Sequence, residues 1–228
     1  MNSEEKREYR WIAIGDIHDG SIGALAAIPG LSGFDGLIMT GDLTNIGGVR
    51  EATRVLESAR LHLPVVAAQI GNMDKAEVSD FLSAEGINIH AAARPLAPGL
   101  AVMGIGGSTP TPFGTPSEFP EASYAAWLEA CWPEAKKLAD QIVLISHNPP
   151  KNTKCDAVGA GMHVGSEALR AFIEKYQPSL CLCGHIHEAR ATDTIGTTKL
   201  INPGDFKSGG YVILSYAQGQ LAADLHII

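Results

Sequence analysis

Five apolar runs in this 228-residue chain end in residues that can ligate a metal or move a proton. Residues 11–14 lead into Gly15-Asp16-Ile17-His18, residues 36–39 into Thr40-Gly41-Asp42, and residues 65–69 into Gly71-Asn72-Met73-Asp74. Further on, residues 142–145 lead into Ser146-His147, and residues 180–183 into Gly184-His185-Ile186-His187. Carboxylate oxygens, an amide oxygen and imidazole nitrogens make a mixed ligand set of the kind transition metals favour. Glycine directly precedes the first candidate ligand at four of these five ends, which lets the backbone turn sharply and the side chains converge. Singly, each motif has a plainer reading. Asp-x-His is commonly a turn with a surface histidine, Asn72 tolerates a left-handed turn, and Asp74 with Glu77 resembles a capping box for the following helix. Taken together, in one chain order and all at strand ends, they describe one site.

The elements that must position these residues alternate. Besides the five runs above, strands are expected at residues 100–105, 199–201, 211–215 and 221–228, and helices at residues 49–60, 76–84, 124–139 and 166–176. The last three apolar runs are closely spaced around turn residues, which predicts antiparallel strands. In α/β sheets, ligand sites lie beyond the carboxyl ends of the strands, where the candidate residues fall. One long loop, residues 106–120, is rich in Pro and Gly, and loops of this length in compact domains commonly bind something. There is no internal repeat and no low-complexity linker. One domain spanning residues 1–228 is expected, with a charged N-terminal extension at residues 1–10.

Composition narrows the function. With 45% apolar and 18% charged residues the chain has the make-up of a globular protein. A formal charge of −8 argues against nucleic acid or an anionic membrane surface as partner. A small anionic substrate remains compatible, because metal ions can reverse the local field. The N-terminal residues are charged and carry no apolar core of a secretory signal, and no apolar stretch reaches the length of a membrane span. Cys131, Cys155, Cys181 and Cys183 have no zinc-knuckle spacing and read as reduced thiols of a cytoplasmic protein.

The order Asp-x-His, Gly-Asp, Gly-Asn, His and Gly-His-x-His resembles the signature of calcineurin-like metallophosphoesterases, from Asp16 to Asn202-Pro203-Gly204. The segment Ser146-His147-Asn148-Pro149-Pro150, with the 184–189 motif, resembles more narrowly a subgroup of phosphoesterases related to bacterial cyclic-nucleotide phosphodiesterase. The resemblance implies an α/β fold, a four-layer α-β-β-α sandwich with two mixed β-sheets. It also implies two divalent transition-metal ions, manganese, iron or zinc. One would be held by Asp16, His18, Asp42 and His187, the other by Asp42, Asn72, His147 and His185, with Asp42 bridging. His185 and His187 would each meet a different ion, with Ile186 directed into the core. Two divalent ions bring about four positive charges, and two aspartates with a hydroxide remove about three, so the site stays net positive for phosphate. The implied reaction is hydrolysis of a small phosphoester, a phosphodiester more than a monoester, by metal-activated hydroxide.

Many family members carry histidine where this chain has Met73, and that histidine protonates the leaving group. A thioether cannot. The ligand set is complete, but the general-acid step, usually worth about 10²- to 10⁴-fold, lacks its usual donor. His163, in a glycine-rich loop between two ligand-bearing segments, is the candidate substitute. A second reading is a binding or scaffold protein of the same fold, like the metallophosphoesterase-like subunit of a membrane-trafficking coat. Such a scaffold predicts decayed ligands, whereas all seven positions remain here.

Overall fold

The computed structural model describes residues 7–228. In the first half lie β1 (Tyr9–Ile14), β2 (Gly36–Met39), α1 (Val49–Arg60), β3 (Val65–Ala68), α2 (Ala76–Ala84), β4 (Ala92–Ala97) and β5 (Leu100–Ile105). The second half adds α3 (Glu121–Leu138), β6 (Gln141–Ser146), a short hairpin of β7 (Ala157–Val158) and β8 (Met162–His163), and α4 (Glu167–Tyr176). It ends with β9 (Leu180–Leu182), β10 (Ala191–Ile195), β11 (Thr198–Asn202), β12 (Gly210–Ala217) and β13 (Gln220–Ile227). Of the charged extension expected at residues 1–10, residues 1–6 lie outside the described residues, and β1 already begins at Tyr9.

Two mixed sheets carry the molecule. A five-stranded sheet runs β13-β12-β1-β2-β3, and a six-stranded sheet runs β10-β11-β9-β6-β5-β4. Within the first, β1, β2 and β3 are parallel, while β12 and β13 form an antiparallel hairpin beside β1. Within the second, β5, β6, β9 and β11 are parallel, and β4 and β10 close the two edges antiparallel.

The period-two alternation of strands divides the apolar residues into three cores. Ile12 and Ile14 of β1 pack with Val55 and Leu56 of α1 and Val78 and Leu82 of α2. The intervening Trp11 and Ala13 face the other way and meet Val102, Val143, Ile145 and Leu182 of the second sheet. On that sheet's far side, Met103 and Leu144 pack against Tyr124 and Leu128 of α3 and Phe172 of α4. The result is the expected four-layer α-β-β-α sandwich.

Some expectations need correction. The last three apolar runs do not form one antiparallel set. β11 joins the second sheet parallel to β9, and a turn at Phe206–Ser208 carries the chain to the first sheet, where β12 and β13 pair. α3 begins at Glu121, three residues before the expected start at residue 124, because Pro120 is its N-cap and Glu121 supplies negative charge to its first turn. β4 escapes the sequence reading because Arg94 and Pro95 interrupt its apolar pattern; an edge strand tolerates a proline, which has no N–H to donate to a neighbour. All four cysteines are buried and unpaired.

Leu144 is fully buried between the second sheet and its helices. Leu144→Ala should lower unfolding free energy by about 2–5 kcal/mol in a denaturant titration. A loss under about 1 kcal/mol would show that the helices do not close over the sheet at this point.

Candidate metal centre

The candidate ligands stand on the carboxyl ends of parallel strands from both sheets. Asp16 and His18 follow β1, Asp42 follows β2, and Asn72 follows β3; His147 follows β6, and His185 and His187 follow β9. Backbone hydrogen bonds tie these loops edge to edge. Asp16 N–H donates to Gly41 O at 3.0 Å, and the N–H groups of Ile17 and His18 both donate to Asp42 O, at 2.8 and 3.1 Å. Across the second sheet, Gly184 N–H donates to His147 O at 3.0 Å.

Side chains converge on two carboxylates. Asp16, His18 and His187 offer one ligand atom each within 4.8 Å of one another, and so do Asp16, Asp42 and His147. Asp42 Oδ2 lies between two imidazoles, 3.6 Å from His18 Nε2 and 3.3 Å from His147 Nε2. Asp16 Oδ1 is 3.2 Å from His187 Nε2 and 4.0 Å from both His18 Nε2 and His147 Nε2. Asn72 Oδ1 is 3.0 Å from His147 Nε2, and the His185 ring centroid lies 5.4 Å from that of His147. The structure thus brings five of the seven candidates into two ligand groups that share Asp16, with Asn72 and His185 beside His147.

Backbone strain accompanies the convergence. Asp16, His18, Asp42 and His185 take φ values of 51°, 50°, 49° and 65°, in the left-handed region. Such conformations cost roughly 1–3 kcal/mol each and gather at functional sites. Glycines permit the close approaches: a Cβ at Gly71 would sit 2.1 Å from Asp42 Oδ1, and one at Gly184 would sit 2.4 Å from Asp16 Oδ2. The left-handed turn at His185 also explains a correction. The chain leaves the extended conformation there and enters a 3₁₀ turn, His187–Ala189, so Ile186 is half-buried rather than directed into the core.

The electrostatics fit a cation. Burial raises the Asp42 carboxyl, but the charge and hydrogen bond of His147, the charge of His18 and the Met73 N–H outweigh it and hold it below its usual range. Burial would lower the His147 imidazole, yet Asp42 above all, then Asp16 and Asp74, push it up to about 9. Positive charge is therefore favoured where His147 Nε2 meets Asp42 and Asn72. His185 is driven the other way, down to about 4, by burial and then by the His147 charge. His147 Nδ1 is buried without a hydrogen-bond partner among the described residues. His18 Nε2 and His187 Nε2 point at each other across 3.2 Å. Nitrogen lone pairs and carboxylates aimed at shared points are the donor set of a mixed N/O transition-metal centre.

Two buried side chains that the sequence reading did not assign to the site hold its loops. Asp74 does not cap α2, whose N-cap is Lys75 with no side-chain hydrogen bond. Its Oδ1 accepts from Thr44 N–H and Thr44 Oγ1, both at 2.8 Å, and its Oδ2 accepts from Leu43 N–H at 3.1 Å and Gly71 N–H at 2.9 Å. Burial, then the charge of Asp42, pushes Asp74 up to about 7, against the hydrogen bonds from Gly71 and Thr44 that favour its charged form. Asn202 plays the matching part in the second sheet, donating to Cys155 O at 3.1 Å and Ile186 O at 2.9 Å. In sequence Asp74 read as a helix cap because Glu77 stood three residues on. Its donors Leu43 and Thr44 are close to it only in space.

Met73 lies within the site: its N–H donates to Asp42 Oδ1 at 2.7 Å, and its side chain is half-buried. His163 stands apart from both ligand groups. Its Nδ1 is 2.8 Å from Asp156 Oδ1, and its side chain is 35% exposed, which leaves Nε2 unengaged among the described residues.

A four-layer sandwich with Asp and His ligand groups across the strand ends of two sheets defines a metallophosphoesterase. The profile of the Calcineurin-like phosphoesterase family matches residues 9–189, and the chain belongs to that family. It is 36% identical over 173 residues to an uncharacterized protein of Methanocaldococcus jannaschii, a match covering 74% of this chain and 77% of that one. A crystal structure of a Thermus thermophilus protein superposes with a TM-score of 0.68 at 19% identity, covering 96% of this chain and 99% of the other. A 5'-nucleotidase from Candida albicans shares the fold at a TM-score of 0.54 and 13% identity, covering 98% of this chain and 52% of that one. Among the described residues no helix is long and apolar enough to cross a membrane.

Gly71→Ala would force Asp42 from its place, so the variant should fold yet retain less metal than the native protein after dialysis, by elemental analysis. Native metal content in that variant would show that the close approach is not needed. Asp74→Ala leaves three buried N–H groups without their acceptor and should cost on the order of 3 kcal/mol or more of stability in denaturant titration.

Proposed function

We propose that this protein is a metal-dependent phosphohydrolase acting on a small phosphoester, a phosphodiester in preference to a monoester, within one domain. The observation that carries the reading is the position of Asp42 Oδ2 between His18 Nε2 and His147 Nε2, 3.6 and 3.3 Å away. Asp16, His18, Asp42 and His187 would hold one divalent ion, and Asp42, Asn72, His147 and His185 a second, with manganese, iron or zinc suited to the mixed donors. Paired ions supply an acidified water and a clamp on phosphoryl oxygens for in-line displacement.

The chain's own residues prepare the rest. The Met73 N–H fixes Asp42 Oδ1, which leaves Oδ2 to face the imidazoles. The His185 N–H donates to Asp16 Oδ1 and Oδ2 at 3.1 and 3.2 Å and so holds that carboxylate from behind. Where the leaving-group series is flat, His163 is the candidate proton donor. Buried Asp156 fixes its Nδ1, and a hydrogen bond of 2.9 Å from Gly159 N–H to Glu188 Oε1 ties its hairpin to the turn bearing His187. The net charge of −8 supports a small substrate over nucleic acid, and the buried, unpaired thiols suit a reducing compartment such as the cytoplasm. Methionine in place of a proton donor at position 73 supports phosphodiesters or other esters with good leaving groups, which need less protonation as they depart.

Asp42→Ala should lose both ions, whereas His18→Ala should mainly weaken one; two tightly held ions in the Asp42 variant would defeat the bridging assignment. A second measurement addresses Met73. Rates on aryl and alkyl phosphoesters at constant metal loading should fall steeply as the leaving-group pKa rises. Met73→His should flatten that fall, with at most about 10²- to 10⁴-fold to regain on poor leaving groups. A flat native series that becomes steep in His163→Ala would identify His163 as the donor. One that stays flat in that variant would reject both roles.

A further inference from the structure

A cleft of about 580 Å³ opens on one flank of the metal centre, running from Asp16, His18 and His187 to Ser21, Asp205 and Lys207. A phosphoryl group displaces only a few waters, each about 30 Å³ in the liquid. Clefts of roughly 300–1,000 Å³ hold whole small molecules. The cleft therefore has room for the part of a substrate that is not under attack, and its lining states what that part carries.

Lys207 is the cation of this lining, apart from the imidazoles that belong to the centre itself. It forms no ion pair within 4.0 Å among the described residues, unlike Lys151, Lys175 and Lys199. Apart from Asp16 of the centre itself, the acid of the lining is Asp205, which is turned to its own backbone. Its Oδ2 accepts from Ser208 N–H at 3.2 Å and Ser208 Oγ at 3.0 Å, capping the short 3₁₀ turn on which Lys207 stands. That turn is rigidly placed. Phe206 is 2% exposed and its N–H donates to Gly15 O at 3.1 Å, beside Asp16. Arg190 clamps the flanks, donating to Pro203 O at 2.7 Å and Ser208 O at 3.2 Å. A fixed turn thus presents an unpaired ammonium along a cleft whose other end is the phosphoryl site.

We propose that Lys207 is a specificity-determining residue that binds a second anionic group, a carboxylate or a further phosphate, on the far arm of the phosphoester substrate. The proposal rests on the reading that the metal centre holds the phosphoryl group. Non-hydrolysable phosphonates test it by binding rather than turnover. Phenylphosphonate, 4-carboxyphenylphosphonate, 1,4-phenylenediphosphonate and 4-(aminomethyl)phenylphosphonate are titrated calorimetrically into manganese-loaded native protein and Lys207→Met. The native protein should bind at least one doubly anionic probe about fivefold tighter than phenylphosphonate, as a single solvent-exposed ion pair allows. Which of the two gains shows whether the arm carries carboxylate or phosphate. In Lys207→Met this preference should shrink to within about twofold. Equal affinity for all probes, a preference that survives Lys207→Met, tightest binding of the ammonium probe, or no binding of any probe overturns the proposal. Turnover of bis(4-nitrophenyl) phosphate and of 4-nitrophenyl phosphate by the native protein is measured in parallel. Its absence, with the anion preference intact, rejects the phosphohydrolase reading and leaves the anionic subsite standing.

Discussion

Two aspartates, Asp16 and Asp42, are 1% and 2% exposed and share their imidazole neighbours, so like charges are buried side by side. Burying an unpaired carboxylate costs several kcal/mol after relaxation, and a neighbouring like charge adds to it. Most of the surrounding structure can be read as compensation. Each carboxylate accepts a backbone N–H from another strand-end loop, Asp16 from His185 of the second sheet and Asp42 from Met73 of its own. Imidazoles close the remaining directions. A cation between the carboxylates turns their repulsion into a shared attraction, and the geometry therefore suits a metal centre.

That requirement reaches outward through the loops. Four of the seven candidate ligands adopt left-handed backbone conformations that only surrounding constraint can maintain. Asp74 supplies that constraint in the first sheet and Asn202 in the second, each joining strand-end loops through buried hydrogen bonds. The sheets in turn are held in register by an apolar layer between them, to which Trp11 and Leu182 contribute. Chemistry at the strand ends and packing in the middle layer are thus coupled: a shift of one sheet against the other would separate Asp42 from His147.

Sequence made the ligand side of this arrangement readable because ligands must be particular residue types at particular strand ends. The helices α1 and α2 were readable to the residue, since each carries one apolar face between clear stop signals. What escaped was whatever depends on spatial partners. Asp74 looked like a helix cap because its donors, Leu43 and Thr44, are some thirty residues away in sequence. β4 was hidden by Pro95, which an edge strand tolerates and a central strand would not. The division of the last strands between two sheets turns on Phe206, whose burial beside Gly15 no local pattern announces.

The centre is also asymmetric in its access to solvent. His147 is fully buried and Asn72 is 4% exposed, while the side chains of His18 and His187 are 26% and 42% exposed and face the cleft. On the buried flank, Asn72 Nδ2 donates to Thr115 Oγ1 at 3.0 Å, and Thr115 donates in turn to Glu118 at 2.6 Å. The long loop at residues 106–120 is therefore a wall locked onto the centre, not a free arm above it. The cleft opens on the His18 and His187 flank. At Met73 the backbone is bound to Asp42 and the side chain is half-buried. The hydrogen bond that positions Asp42 comes from the backbone N–H, so it is independent of which side chain stands at position 73, and the geometry of the ligand groups does not require a histidine there.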